Sequence, residues 1–211
     1  MLIGGGGHCK SVLDSALRMN IFEDIVITDP DLKPGTRIMG CMVVGTDDCL
    51  EDLREKGYDE AFISVGNVNL NPLREILANK VSRLGYTFPT IIDPSAIIAD
   101  TTIIEDGTFI GKRTTINAGV KIGSHSIINT GSIIEHDCSV GDYTHVSVGA
   151  VLCGEVIIGN NCMIGAHSTI IQCRKVGDNS VVGAGAVVNK DVENDSTVVG
   201  VPAKKLIQHE R

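Results

Sequence analysis

The stretch SIIEHDCSVGDYTHVSVGAVLCGEVII (residues 132–158) carries an aliphatic residue at every sixth position. The same step continues through 17 consecutive hexads between Ile92 and Val188, and the fifth residue of each hexad is small except at Arg174. A period of six matches neither an amphipathic helix nor a simple alternating strand. It indicates a short strand followed by a corner, so that three hexads make one triangular coil. The repeat therefore predicts an all-β parallel β-helix in which residues 18 positions apart stack and aliphatic side chains fill a narrow lumen.

The bulk composition excludes several classes of protein. A net charge of -8 argues against non-specific binding to nucleic acid or to an anionic membrane. The sequence contains no basic segment followed by an apolar run and no apolar stretch of membrane-spanning length, so we expect no signal peptide and no membrane insertion. The seven cysteines include no CxxC pair and are interpreted as reduced thiols of a cytoplasmic protein. Cys138 and Cys162 occupy fifth positions of hexads, which indicates a packing role.

The hexads are absent from the first 90 residues, where short apolar strands alternate with helical patterns. This alternation predicts a small, Rossmann-like α/β domain with a parallel sheet. We place the α/β domain at residues 1–88, the β-helix at 89–194 and a closing segment at 195–211.

Unusual residues follow three predicted strands of the α/β domain: the glycine loop from Gly4 to His8, then Asp29, then Gly66 and Asn67. Ligands of such sheets bind at the carboxyl ends of the strands. The glycine loop does not match GxGxxG. It is either a tight strand-to-helix turn or a loop that brings backbone N–H groups to a phosphate.

The run Glu135-His136-Asp137 and the later His145 remain once the repeat has been assigned. His136 is third in its hexad and His145 is last in the next, so both are expected to project from the surface of the prism. Their separation of nine residues is half a coil, which puts them on different sides of one chain. If both serve one site, that site combines His136 of one chain with His145 of a neighbour.

Three stretches, IGGGGHCKSVLDSAL, the VGN turn and IIEHDCSVGDYTHVSVGAVLCG, resemble the sugar O/N-acyltransferase family of hexapeptide-repeat proteins. This family includes sialic acid O-acetyltransferases and bacterial N-acetyltransferases of UDP-4-amino-sugars. The resemblance covers essentially the whole chain, and the tail VVGVPAKKL resembles the segment that closes such helices. It implies a left-handed β-helix, acetyl-CoA as co-substrate, and a homotrimer with its sites between adjacent chains.

The resemblance also implies roles for individual residues. His136 is the general base, Asp137 orients it with Glu135 as the second choice, and His145 contacts acetyl-CoA near the thioester. The path of the cofactor is further assigned to Gly154, Ala166 and Ala184, although the family has glycine where Ala184 stands. The nucleotide sugar is assigned to Gly6, Gly7, His8, Asp29, Gly66 and Asn67, with Asp29 matching an acid that accepts from uracil.

These assignments predict an acetyl-CoA-dependent acetyltransferase that acts directly, without an acyl-enzyme, on the amino group of a UDP-4-amino-sugar in a bacterial glycan or nonulosonic acid pathway. The alternative is O-acetylation of a sialic-acid-like sugar. A remote alternative is a metal-dependent hydratase of the γ-carbonic anhydrase type, using His136, His145 and either His125 or His167. Because zinc sites of that type prefer close pairs such as His-x4-His, which the chain lacks, we expect no metal site. A scaffold without catalysis would not need the Glu-His-Asp run.

Overall fold

The computed structural model describes residues 1–66, 70 and 72–206. The chain divides into two compact units, Met1–Pro94 and Ser95–Arg211. The boundary between the units therefore falls after Pro94, whereas the sequence places it after residue 88. Each unit corresponds to one of the two predicted folds.

The first unit is an α/β domain built on a five-stranded sheet with the order β3-β4-β2-β1-β5. Its strands are parallel except β3, which runs antiparallel to β4. A single 3₁₀ turn, Asp47–Cys49, precedes α2, and β6 packs on α1 outside this sheet. The elements are β1 (Leu2–Ile3), α1 (Gly7–Met19), β2 (Val26–Thr28), β3 (Arg37–Ile38), β4 (Cys41–Gly45), α2 (Leu50–Glu55), β5 (Phe62–Ile63), α3 (Leu73–Arg83) and β6 (Ile91–Ile92).

The hairpin of β3 and β4 has no counterpart among the elements predicted from sequence. Its two central turn residues, Met39 and Gly40, both have positive φ, at 49° and 90°. This is the conformation of a type I′ turn, which matches the twist of the flanking strands. The usual Asn-Gly or Asp-Gly pair is missing here, so the sequence does not predict the turn.

The second unit is a coil of short parallel strands that forms three flat faces. Face 1 contains β7, β10, β13, β16, β19 and β22; face 2 contains β8, β11, β14, β17 and β20; face 3 runs from β9 through β12, β15, β18 and β21 to β23 and β24. The strands are β7 (Ile97–Ile98), β8 (Ile103–Ile104), β9 (Phe109–Ile110), β10 (Thr115–Ile116), β11 (Lys121–Ile122), β12 (Ile127–Ile128), β13 (Ile133–Ile134), β14 (Ser139–Val140), β15 (His145–Val146), β16 (Val151–Leu152), β17 (Ile157–Ile158), β18 (Met163–Ile164), β19 (Thr169–Ile170), β20 (Lys175–Val176), β21 (Val181–Val182), β22 (Val187–Val188), β23 (Thr197–Val199) and β24 (Lys204–Lys205).

The register of these strands follows the sequence repeat. Thr115 pairs with Ile133, and Ile116 with Ile134, so hydrogen-bonded neighbours stand 18 residues apart. The predicted fold class, an α/β domain followed by a left-handed parallel β-helix, is confirmed. The antiparallel pair of β23 and β24 lies within the predicted closing segment, whose residues 207–211 are outside the described part of the chain.

The lumen is filled by the first residue of each hexad. From Ile110 to Val188 every one of these aliphatics is at most 2% exposed. Cys138 and Cys162 are buried among them, and burial raises the pKa of both thiols to about 11. Each thiol donates to a backbone carbonyl at 3.1 Å, on Cys153 and Gly177 respectively. Both cysteines therefore pack the lumen as unreactive thiols.

Removing one lumen side chain should destabilise the protein far more than removing an outward one. Ile128 is 0% exposed and Ile157 is 43% exposed. We expect Ile128→Ala to lower the free energy of unfolding by about 2–5 kcal/mol through lost burial and an unfilled cavity. Ile157→Ala is the matched control and should cost less than about 1 kcal/mol. Urea unfolding at one fixed protein concentration measures both, and equal losses would contradict the assignment of the lumen.

Candidate active site

The strand pairing places His136 and Asp137 at the corner between β13 on face 1 and β14 on face 2. Asp137 occupies the fourth position of its hexad with φ of 58°, the left-handed conformation that turns the chain at this corner. Both side chains are more than half exposed, and His136 Nδ1 lies 2.9 Å from Asp137 Oδ2. The corner thus presents a paired imidazole and carboxylate to the outside of the prism.

The contact between these two side chains defines the protonation of the imidazole. A carboxylate oxygen only accepts, so Nδ1 carries the proton and donates it to Asp137. This leaves Nε2 with its lone pair in the neutral ring, directed away from Asp137. The hydrogen bond to Asp137 is also the main reason that the pKa of His136 is raised, and the charges of Asp137, Glu135 and Glu155 add to it. A neutral imidazole with enhanced basicity is suited to remove a proton from a bound amine.

Asp137, and not Glu135, orients the imidazole. The Glu135 carboxylate accepts from the Asn117 side-chain amide, with Oε2 2.9 Å from Nδ2. Asn117 stands one coil before Glu135. This bond holds Glu135 along the stack of coils, whereas the carboxylate in contact with the imidazole is that of Asp137.

Two glycines one coil away leave room for the pair. A Cβ at Gly119 would come within 2.5 Å of Asp137 Oδ1, and a Cβ at Gly154 would come within 2.6 Å of His136 Nε2. Gly119 has φ of 73°, a conformation that favours glycine. Gly154 was predicted as a cofactor residue, and the structure places it against the imidazole itself.

His145 lies on β15 of face 3, one side of the prism away from the His136 corner. It was expected at the surface like His136, but it is buried, with only 8% of its surface exposed. Its Nε2 lies 3.1 Å from the Asn129 amide nitrogen. The other amide atom, Asn129 Oδ1, accepts from the Thr130 N–H at 2.8 Å, so Nδ2 must be the donor to His145. The proton of a neutral His145 therefore sits on Nδ1.

Ala166 and Ala184 stack at the corner between face 3 and face 1, where the Gly185 N–H donates to the Ala166 carbonyl at 2.8 Å. A Cβ at Gly165 would come within 2.5 Å of the Ala184 nitrogen, so this corner is closely packed. Gly154 belongs instead to the corner of His136. The four predicted cofactor residues therefore occupy two corners and one face of a single chain, and one chain does not bring them together.

In the α/β unit, those predicted sugar-nucleotide residues that the structure describes surround the carboxyl end of β1, which lies between β2 and β5. This is the point where the strand order reverses, the usual ligand site of such sheets. Asp29 follows β2, and its Oδ2 accepts from the Gly5 N–H at 2.6 Å while Oδ1 accepts from the Asp31 and Leu32 N–H groups. Asp29 therefore braces the glycine loop in this structure.

Gly6 and Gly7 are exposed, and a Cβ at either would meet nothing within 4 Å. Gly6 is the N-cap of α1 and makes no side-chain cap, and Gly7 and His8 form the first turn of this 13-residue helix. The helix thus begins within the predicted glycine loop, and the N-terminus of a helix is a common binding place for a phosphate. Gly66 faces His8, since its added Cβ would lie 3.5 Å from His8 Cβ. Asn67 lies outside the described residues.

Models of known families match most of the chain. The PglD N-terminal domain matches residues 1–81. The bacterial transferase hexapeptide (six repeats) matches residues 101–136 and 137–172, and the hexapeptide repeat of succinyl-transferase matches residues 155–190.

Solved structures match the full length. A histidine-to-alanine variant of GDP-perosamine N-acetyl transferase from Caulobacter crescentus, in complex with CoA and GDP-perosamine, is 33% identical with a TM-score of 0.93, covering 98% of this chain and 96% of that one. The acetyltransferase domain of PglB from Neisseria gonorrhoeae, in complex with acetyl coenzyme A, is 33% identical with a TM-score of 0.90, covering 97% of each chain. WeeI from Acinetobacter baumannii is 28% identical with a TM-score of 0.86, covering 97% of this chain and 98% of that one. This chain belongs to the hexapeptide-repeat sugar acyltransferase family.

Within the described part of this acyltransferase, no group of three His, Cys, Asp or Glu side chains is placed to hold a metal ion. The histidines considered for a zinc site stand apart: His136, His125 and His167 are at three different corners, and His145 is on face 3. His125 stacks on Tyr143 with ring centroids 5.0 Å apart, while His167 packs over Gly149. None of the helices in residues 1–66, 70 and 72–206 is long and apolar enough to cross a membrane.

Sequence reasoning missed Asn117 and Asn129, whose side chains contact two candidate residues of this acyltransferase. Both occupy second positions of hexads and reach a side chain in the following coil, namely Glu135 and His145. An asparagine at an outward second position, one coil before a candidate residue, is the signal that could have found Asn117.

The imidazole of His136 should titrate above its ordinary pKa of 6.5, because the neighbouring carboxylate favours the protonated ring. Asp137→Asn removes this charge and should lower the titration midpoint. The control Glu155→Gln removes the charge that contributes least to the raised pKa of His136, so it should change the titration midpoint less. NMR titration of the ring protons measures each midpoint, and an unchanged value in Asp137→Asn would contradict the pairing.

Proposed function

We propose that this protein transfers the acetyl group of acetyl-CoA to the amino group of a UDP-4-amino-sugar, for a bacterial surface glycan or a nonulosonic acid. The observation that carries the proposal is the pairing of His136 with Asp137 on an exposed corner, with Nε2 against the bare backbone of Gly154. The N-terminus of α1 at the switch point of the sheet supports a nucleotide sugar as the acceptor.

The coarser part of this function is confirmed. The chain is an acetyl-CoA-dependent sugar N-acetyltransferase with acetyl-CoA as co-substrate and a nucleotide sugar as acceptor. Several of the solved relatives carry CoA or acetyl coenzyme A, and some of these carry GDP-perosamine as well. The identity of the nucleotide, the role of the base and the pathway belong to the proposal.

The reaction needs a base, a nucleophile and a donor to the developing oxyanion. The lone pair of His136 Nε2 takes a proton from the sugar amine as the amine nitrogen attacks the thioester carbon. Asp137 accepts a hydrogen bond from Nδ1–H throughout and stabilises the imidazolium that forms. The tetrahedral intermediate collapses to the amide, the C–S bond breaks, and the proton held by His136 passes to the CoA sulfur. The neutral amine is nucleophilic enough that no acyl-enzyme is required.

His145 is proposed to contact the acetyl-CoA near the thioester. The Asn129 side-chain amide holds the His145 ring through Nε2. The negative charge that develops on the thioester oxygen needs a hydrogen-bond donor. A preorganised donor at that atom lowers the barrier because it needs no reorientation during the reaction. The cofactor residues at two separate corners fit a CoA that lies between two prisms.

Face 1 supports a homotrimer that would supply this arrangement. Its outward strand residues are all aliphatic or threonine, whereas Lys121 and Lys175 interrupt face 2. The outward residues of face 1 are Ile97, Thr115, Ile133, Val151, Thr169 and Val187. An apolar, uncharged sheet face of this kind is typical of a surface that packs on another copy of the chain.

The edges of face 1 explain why a ring is proposed. The corner with His136 borders face 1 on one side, and the corner that follows His145 borders it on the other. A cyclic arrangement joins unlike edges of successive copies, so each junction would bring His136 of one chain towards His145 of the next. We also propose that the enzyme acts in the cytoplasm, in keeping with seven free thiols.

A GDP-sugar is the second candidate for the acceptor. Relatives that are 31–33% identical were solved with GDP-perosamine. In addition, Asp29, the residue assigned to uracil, already accepts from three backbone N–H groups, and the preceding Thr28 is fully buried and bonded to Asp47. Base selection therefore rests on the remaining lone pairs of Asp29 and on groups around it.

A panel of acceptors tests the function. Purified enzyme and acetyl-CoA are offered UDP-4-amino-sugars, GDP-4-amino-sugars and sialic acids, and release of free CoA thiol is followed. We expect turnover with a UDP-4-amino-sugar. Turnover with the GDP-sugars alone would overturn UDP as the nucleotide of the acceptor in favour of GDP. Turnover with a hydroxyl acceptor alone would overturn N-acetylation.

The same assay tests the base. His136→Ala should lower kcat by about two to four powers of ten, the usual contribution of a positioned base. CoA binding by calorimetry should remain nearly unchanged in this variant. Because the pKa of His136 is raised, kcat of the wild type should fall as the pH drops below that pKa, where the ring is protonated. Unchanged turnover in His136→Ala would remove this residue from the mechanism.

A further inference from the structure

Arg74 stands in the first turn of α3 and is only 3% exposed. Its Nη1 lies 2.8 Å from the carbonyl oxygen of Ile63 and 2.5 Å from that of Val65. These two carbonyls flank Ser64 at the carboxyl end of β5, where the sheet ladder stops. One buried guanidinium therefore fixes the direction of the chain as it leaves this strand.

The segment that Arg74 holds is packed against the glycine loop. A Cβ at Gly4 would come within 2.6 Å of Val65 Cγ2 and 3.3 Å of the Val65 nitrogen, and Gly66 faces His8. Ser64 Oγ, itself buried, lies 2.9 Å from the Ile3 carbonyl and 2.7 Å from the Gly4 carbonyl. A shift of Val65 of a few tenths of an ångström is therefore transmitted directly to the loop that follows β1.

We infer that Arg74 is a positioning residue for the nucleotide sugar. Through the two carbonyls it keeps Val65 and Gly66 pressed against Gly4 and His8, and so sets the spacing between the loops after β1 and β5. This inference rests on the proposed function, in which the nucleotide sugar binds between these loops. Arg74 acts through the backbone that it orients, so it affects the binding of the nucleotide sugar and not that of acetyl-CoA.

Two substitutions separate the contacts from the charge. Arg74→Met keeps most of the apolar stem and loses both hydrogen bonds. Arg74→Lys keeps the charge, but its nitrogen lies one bond nearer the backbone than Nη1, the atom that bonds both carbonyls, so it reaches them only in part. Arg83→Met is the matched control, because Arg83 is exposed at the other end of the same helix.

The first measurement is hydrogen exchange of the free enzyme, which needs no substrate. Amides of residues 3–8 and 63–66 should exchange at least about tenfold faster in Arg74→Met than in wild type, with a smaller effect in Arg74→Lys. Amides of the β-helix should not change. If the amides of both segments exchange at the same rate in Arg74→Met and in wild type, the positioning role is overturned, whether or not the proposed function holds.

The second measurement is steady-state kinetics with the acceptor sugar that the panel identifies. KM for the nucleotide sugar should rise about tenfold or more in Arg74→Met and less in Arg74→Lys, while KM for acetyl-CoA and kcat stay within about twofold. An equal rise in both KM values, or no rise in either Arg74 variant, would overturn the inference. Failure of the proposed function would instead appear as absent turnover in the wild type.

Discussion

The stacking of residues 18 positions apart is the constraint on which the rest of the β-helix depends. Parallel ladders fix each coil on the next, so the aliphatic first positions become continuous columns in the lumen. The same stacking builds the active corner. Gly119 and Gly154 stand one coil before and one coil after the pair of His136 and Asp137, and a side chain at either glycine would occupy the space of the pair. A catalytic group on this scaffold is therefore positioned by its neighbours along the prism axis.

The repeat also separates the two candidate histidines, His136 and His145, within one chain. His136 is at an exposed corner and His145 is buried on face 3, held by Asn129. A rigid prism offers no movement that would bring these two together within one chain. The apolar face 1, which lies between their two edges, is the surface that a second copy can cover. In this account the active site is a property of the junction between chains.

Most of the architecture could be predicted from the sequence because one period accounts for about half of the chain. The hairpin of β3 and β4 was missed because Met39 adopts a positive φ, which methionine rarely does. The sequence favoured Asp137 over Glu135 only through the family resemblance, since both acids flank His136. The contact that Asn117 makes with Glu135 from the preceding coil was not predicted. Contacts between coils depend on side-chain rotamers, and a residue pattern carries little information about them. Asp29 shows the same limit, because its position at a strand end was predictable and its bonds to the glycine loop were not.

Mixing two inactive variants tests the shared site most directly. His136→Ala and His145→Ala are each purified, shown to be inactive, and then unfolded and refolded together in equal amounts. In a cyclic trimer every mixed ring has one junction with both histidines, so random assembly restores about a quarter of the wild-type sites. Recovery near that level is the predicted result, with each variant refolded alone as the control. If the mixture stays as inactive as the separate variants while mixed rings are seen by native mass spectrometry, the two histidines do not meet across chains and the account is wrong.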